Sequence, residues 1–225
     1  MKKYYEAYEQ RYKTIHEKGF GWFADMPTPI VRDVIDRYKI NKSVKMLEIG
    51  CGEGRDAIPL LRQGFDLYAT DVSDEAISYC RKLVPEYSEC FGVLDCLNCT
   101  DKERYGFIYA VAVVHMLLLD CDRAGFYRFI KEHLTDDGVA LICSMGDGIS
   151  EKQTDIKDAF TLQERDHPTG KIKVAGTSFR MVSDSDFEKE ITDNGLKIIE
   201  KGLTDGKPDY FKLMYAVAGK SDLLK

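Results

Sequence analysis

From Val44 to Met145, short apolar runs alternate with stretches whose apolar positions recur at helical spacing, and turn residues separate the two. VKMLEI (44–49) reads as a buried strand, followed by a glycine turn and a helix from Arg55 to Gln63 that Gly64 stops. DLYATD (66–71) is the second strand, and Ser73 caps a helix over 73–84 that Pro85 ends. SECFGVL (88–94) and FIYAVAVV (107–114) are the next strands. The second is almost wholly apolar, as expected of a parallel strand covered on both faces. A helix over Asp122–His133, a turn at 135–138 and a strand at 139–145 complete the alternation. This order predicts an α/β fold with a doubly wound, mostly parallel sheet.

The two ends follow other rhythms. Residues 2–18 carry Tyr4, Tyr5, Tyr8, Tyr12 and Ile15 as an aromatic stripe at helical spacing. Gly19–Pro29 is a breaker-rich connection carrying Trp22, and a second helix begins at Thr28-Pro29, with a capping hydroxyl, and runs to Tyr38. Residues 1–40 are therefore expected to form an N-terminal helical cap on a domain spanning 41–225. The stretch 147–182 breaks the alternation. It is polar and glycine-bearing, with an expected hairpin between KIKVAG and TSFRM, and is read as an insertion on the acceptor side of a site. Ser183 then caps a helix over 183–194, with Asp186 at the reciprocal capping position and Gly195 as its stop. Strands at 196–202 and 209–219 close the chain as an antiparallel hairpin.

With 225 residues, 44% hydrophobic and 31% charged, the chain has the composition of one ordinary soluble domain. Its net charge of −6 argues against nucleic acid or an anionic membrane as a partner. No apolar run is long enough to span a bilayer, and MKKYYEAYEQ lacks the apolar core of a secretory signal, so a cytoplasmic location is expected. Seven irregularly spaced cysteines fit a reducing compartment better than a disulfide framework. Cys96-Leu-Asn-Cys99 has no second pair at ligand spacing, so no metal is expected.

The candidate chemistry centres on LEIGCGEGRD (47–56), where a buried strand turns into a helix. A dinucleotide turn reads G-x-G-x-x-G, yet here the third glycine comes one residue early, at Gly54, and Arg55 stands in its place. Glu48 precedes Gly50 by two residues, glycines alternate at 50, 52 and 54, and Asp71 closes the next strand. A nicotinamide-dependent oxidoreductase is the rival reading that the displaced glycine opposes.

This pattern resembles the Rossmann-like (class I) S-adenosylmethionine-dependent methyltransferases, whose first motif is an acidic residue followed by x-G-x-G-x-G. The resemblance extends over residues 40–219 and implies a seven-stranded sheet with a C-terminal antiparallel hairpin strand. It implies that Glu48 orients the cofactor's ammonium end while the backbone of Gly50, Cys51, Gly52 and Gly54 passes against the amino-acid and ribose portions. Asp71 would accept from the ribose hydroxyls and Val72 would pack on adenine. Asp95 in LDC (94–96) would take the adenine amino group, with Cys96 beside it. Ala112 and Val113, where the fourth strand ends, complete the cofactor set. The alternatives are that Asp71 and Glu48 are structural partners and that Asp95 is a turn residue facing solvent. Tyr105-Gly106-Phe107 departs from the family, which opens this strand with an Asp.

The implied reaction transfers a methyl group to an O, N or S atom, and an enclosed pocket favours a small-molecule acceptor over a protein or RNA. His115, at the end of an apolar strand, is the candidate general base; the alternative is a hydrogen-bonded pocket wall. Tyr12 and Trp22 are candidates to close over the cofactor, where aromatic faces suit a sulfonium, although the tyrosine stripe would also dock the helix. Arg180 and His167 are candidate contacts for an anionic acceptor, with a solvated arginine as the alternative.

Overall fold

Strands apolar on both faces, flanked by helices apolar on one side, leave few ways to bury a sheet. The computed structural model describes residues 3–22, 26–205 and 212–220. Residue 2 of the expected first helix, 23–25 of the connection after it, and 206–211, which include the start of the last expected strand, lie outside the described residues.

The chain begins with a single 3-10 turn, Tyr4–Glu6, continuing into α1 (Ala7–His16), and then α2 (Pro29–Arg37). β1 (Met46–Ile49), α3 (Ala57–Arg62), β2 (Leu67–Asp71), α4 (Asp74–Leu83), β3 (Phe91–Val93), β4 (Tyr105–Val111), α5 (Asp120–His133) and β5 (Leu134–Met145) alternate as expected. β6 (Lys152–Gln153), β7 (Leu162–His167), β8 (Gly170–Ala175) and β9 (Arg180–Met181) occupy the insertion. α6 (Asp184–Asp193), β10 (Leu196–Thr204) and β11 (Leu213–Lys220) follow.

The main sheet has seven strands in the order β10-β11-β5-β4-β1-β2-β3, parallel except for β11, which runs antiparallel between β5 and β10. Beside β1 the strand order reverses, with β2 on one side and β4 on the other, and open sheets bind ligands outside the carboxyl ends of strands at such a point. One face of the sheet packs Leu47, Ile49, Ile108 and Ala110 against α5 and α6. The opposite face packs Met46, Leu67 and Phe107 against α2, α3 and α4. Ile30, Val31, Val34 and Ile35 of α2 lie in this second core, so the later part of the expected cap packs with the main domain.

Three local expectations are corrected, and the Ser183 cap of α6 stands as expected. The third strand is only Phe91–Val93, because Pro85 initiates a 3-10 segment, Pro85–Cys90, held by Arg81 on the carbonyls of Ser88 and Phe91. The KIKVA strand pairs with the preceding Leu162–His167 across the two-residue Pro168-Thr169 link, whereas Arg180–Met181 pairs with Lys152–Gln153. Thr28 does not cap α2 with its hydroxyl, which donates to Asp56 Oδ2 at 2.9 Å instead. At α6, Ser183 Oγ accepts from the Asp186 amide, so the cap is the serine's.

Candidate active site

The turn after β1 reverses the chain with positive φ at Gly50 (74°), Gly52 (54°) and Gly54 (79°), a region that side chains with a Cβ avoid. Space is also limiting at Gly50: a Cβ there would lie 2.4 Å from Val113 Cγ2. Asp71, at the end of β2, fastens the turn by accepting from the Gly52 amide at 2.9 Å through Oδ2. Its Oδ1 accepts from the Ser73 amide at 2.9 Å. A carboxylate offers about four acceptor positions, so capacity remains for hydroxyl donors. Burial pushes the Asp71 acid above its ordinary value, against these amide bonds.

A cavity of about 130 Å³ opens at this edge. That is several times the roughly 10–15 Å³ one water needs, hence room for a ligand. Of the residues singled out from sequence, Gly50, Gly52, Asp71, Val72, Asp95 and Cys96 line it. So do Ala112, Val113, His115 and Tyr12. Ala112 sits at φ 59°, a conformation unfavourable for an L side chain by about 1–2 kcal/mol and typical of functional sites.

Glu48, Cys51 and Gly54 lie behind this wall. The Glu48 carboxyl accepts from the Tyr109 hydroxyl at 3.0 Å, and burial, with Asp56 nearby, holds its acid well above the usual carboxylate range. The Cys51 and Cys80 thiols both reach the Gly52 carbonyl, at 3.7 and 3.3 Å. Gly54 packs toward Ile58 and Cys80.

Asp95 is already heavily engaged. Oδ2 accepts from Lys3 Nζ at 2.6 Å, Tyr5 Oη at 3.1 Å and Asn98 Nδ2 at 2.8 Å, while Oδ1 accepts from the Leu97 amide at 3.0 Å. Burial opposes the charge on this carboxylate, but the Lys3 bond and the Leu97 amide outweigh it and hold the acid below its ordinary value. Further acceptor capacity is left on Oδ1.

Residues that sequence reasoning did not single out as site members complete the enclosure. Tyr5 and Tyr8 join Tyr12 over the cavity, and Arg55, Met116 and Leu117 line its walls. The signal for the tyrosines was present in the aromatic stripe, whose members at 5, 8 and 12 share a helical face. Trp22 stands outside: its amide donates to Glu53, and its ring and that of Tyr8 each lie 4.7 Å from the Arg11 guanidinium.

The insertion does not line the cavity; it braces the elements that do. Arg11 of α1 is buried and donates to the carbonyls of Ala175 and Gly176 and to Thr177 Oγ1. Arg180 is taken up by the Leu118 carbonyl at 3.0 Å and by Asp120. His167 bonds the Gly21 carbonyl at 2.9 Å and Thr169. Neither Arg180 nor His167 reaches the cavity in this structure.

His115 is buried in the wall, and its Nδ1 has no hydrogen-bond partner among the described residues. Burial, aided by the Arg123 guanidinium, pushes the imidazole down to about 3. The ring is therefore neutral near pH 7, and this value lies far from the one that suits a general base there.

A family model described as the tellurite resistance protein TehB matches residues 16–169. A probable S-adenosyl-L-methionine-dependent methyltransferase TehB of Haemophilus influenzae is 30% identical over 118 residues, covering 51% of this chain and 41% of the relative. The chain thus matches less than half the length of that curated relative. Among solved structures, the 1,6-didemethyltoxoflavin-N1-methyltransferase of Burkholderia thailandensis superimposes with a TM-score of 0.70 at 14% identity, over 93% of this chain and 85% of that one. A TehB-like SAM-dependent methyltransferase from Corynebacterium glutamicum gives a TM-score of 0.57 at 21% identity, over 96% and 97%. These likenesses establish the Rossmann-like methyltransferase fold.

Proposed function

The chain belongs to the TehB family, and from that premise we propose that it is an S-adenosylmethionine-dependent methyltransferase acting on a small acceptor through O, N or S. One observation carries the reading: a single enclosed cavity runs from the Asp71-clamped glycine turn to His115 beneath Tyr5, Tyr8 and Tyr12. The donor set suits a nucleoside carrying an amino acid. It offers the carboxylates of Asp71 and Asp95 and the close-lying backbone of Gly50 and Gly52, with apolar Val72 and Leu94 beside them. Bound there, S-adenosylmethionine supplies an electrophilic methyl group on a sulfonium. Asp71 is assigned the ribose hydroxyls and Asp95 Oδ1 the adenine amino group, with Cys96 alongside; Ala112 and Val113 form the floor. Glu48, one layer back, acts through the turn it supports, as Cys51 and Gly54 do.

The chain's own work is to orient and to exclude water, since a sulfonium methyl needs little further activation. Within the expected cap, residues 1–40, the first helix acts as roof, Tyr12 directly and Trp22 through Arg11, while α2 packs with the main domain. The insertion 147–182, with Arg180 and His167, props the acceptor end. An enclosed site of this size favours a small acceptor over a macromolecule. The test is calorimetry with S-adenosylhomocysteine against NADH, followed by transfer of labelled methyl to tellurite, thiols, amines and phenols. Uptake of NADH with no response to S-adenosylhomocysteine overturns the cofactor; label entering only cell-extract protein or RNA overturns the acceptor class.

A further inference from the structure

Arg123 is among the largest fully buried side chains of the molecule, at 1% exposure, and it leaves α5 toward the turn that carries His115. Its Nη1 donates to the carbonyls of Val114 at 2.7 Å and Leu117 at 3.2 Å, which bracket the 3-10 turn Val114–Met116. Its Nε and Nη2 form a fork on the two carboxylate oxygens of Glu190 in α6, both at 2.7 Å, and Tyr127 Oη donates to the same carboxylate at 3.1 Å. Two neighbours complete the clamp: Ser178 Oγ donates to the Met116 carbonyl at 2.8 Å, and the Leu118 amide donates to Tyr4 Oη at 3.0 Å.

A buried ion pair is a poor source of stability, because desolvating both charges offsets most of their attraction, and apolar replacements of similar volume are often neutral or stabilising. What this pair supplies is geometry. A planar guanidinium that grips two carbonyls and a carboxylate at once fixes the turn in position and angle. The turn it fixes carries His115, Met116 and Leu117, three residues of the cavity wall.

We infer that Arg123 is the positioning residue of this site, holding the turn that carries His115 so that its ring forms a fixed wall at the acceptor end. The inference rests on the methyltransferase reading and deepens it. A wall of this kind offers orientation and no proton removal. The acceptor class it fits is one whose attacking atom already carries a free lone pair at neutral pH, such as a thiolate, an oxyanion or an unprotonated amine.

The test follows the His115 ring by nitrogen-15 NMR in the full chain, assigned by the signal lost in His115→Asn, with S-adenosylhomocysteine affinity measured alongside. Wild type is expected to hold one neutral tautomer down to about pH 5, below the ordinary histidine range. Arg123→Lys keeps the charge, but one ammonium cannot reproduce the fork and both carbonyl bonds. The His115 signals are expected to broaden into exchanging tautomers, while S-adenosylhomocysteine affinity stays within about threefold. Arg123→Met removes the charge and moves His115 protonation to higher pH; if that variant does not fold, Arg123→Lys decides. An unchanged His115 tautomer and line shape in folded Arg123→Lys overturns the inference. So does loss of cofactor affinity in that variant, which marks Arg123 as a general prop. Wild-type protein that ignores S-adenosylhomocysteine overturns the cofactor reading instead, and that result is separate from the ring measurement.

Discussion

His16 Nε2 lies 2.9 Å from Glu53 Oε1, which ties the N-terminal helix to the residue between the second and third glycines of the turn. His16 Nδ1 lies 2.8 Å from Glu75 Oε1 at the start of α4, and the ring stacks on Tyr79 at 4.2 Å. A neutral imidazole has one N–H, so hydrogen bonds to two carboxylates require the imidazolium. The roof of the cavity is therefore latched by a charge.

Burial of His16 opposes that charge, but the bonds to Glu53 and Glu75 outweigh it and raise the imidazole above its ordinary value. A raised histidine contributes stability that is complete below the unfolded value of about 6.5 and is lost as pH rises through the folded one. Thermal stability is thus expected to fall as pH climbs from the ordinary histidine range to the raised value, and His16→Gln is expected to flatten that slope. Melting curves across the range check this. A wild-type slope retained in folded His16→Gln would show that another group carries it.

His115 gives the opposite case. At about 3, its acid lies far below the assay range, so no imidazole limb is expected in the rate profile between about pH 6 and 9. His115→Asn is expected to lower turnover by less than the roughly 10²–10⁴-fold that a general base supplies, and to leave the profile's shape unchanged. Rates for both proteins on whichever acceptor accepts label check it. A limb near 7 that vanishes in the variant restores the base.

The alternation of runs between Val44 and Met145 made the sheet legible, because each run had only one way to bury its apolar face. Gly50, Gly52 and Asp71 were legible for a similar reason: a sharp turn and a carboxylate closing a strand are local features. What was not legible is set by distance along the chain. Arg180 reads as an acceptor contact or a solvated arginine until the fold brings it to Leu118, 62 residues away. His115 reads as titratable because nothing near it in sequence announces full burial beside Arg123. Asp95 offered no local sign that Lys3 and Tyr5, from the far end of the chain, would fill its Oδ2.

Asp71 links the glycine turn to the assigned ribose position, so its loss acts twice. Asp71→Ala leaves the amides of Gly52 and Ser73 without their acceptor and removes a charged partner for ligand hydroxyls. A hydrogen bond to a charged group contributes about 1.5–3 kcal/mol, so S-adenosylhomocysteine affinity is expected to fall by roughly 10- to 100-fold. Asp71→Asn retains a carbonyl acceptor and is expected to lose less. Calorimetry on the two folded variants decides; equal affinity in all three proteins removes Asp71 from the site.

Gly50 and Val113 make a sharper pair, because two separate obstacles meet at one position. An alanine at 50 must hold φ near 74° and place its Cβ 2.4 Å from Val113 Cγ2. The backbone term is about 1–2 kcal/mol and no neighbouring change relieves it. The overlap is with a side-chain methyl, and Val113→Ala removes it. Gly50→Ala alone is therefore expected to destabilise by more than the backbone term and to weaken cofactor binding, since Val113 lines the cavity. Gly50→Ala with Val113→Ala is expected to recover part of both losses, giving a coupling of about 0.5–3 kcal/mol in a double-mutant cycle. Denaturant melts of the four proteins measure it. Strict additivity would mean that the turn moves away from β4 when it accepts a side chain, and that contact between Gly50 and Val113 does not set the cavity floor.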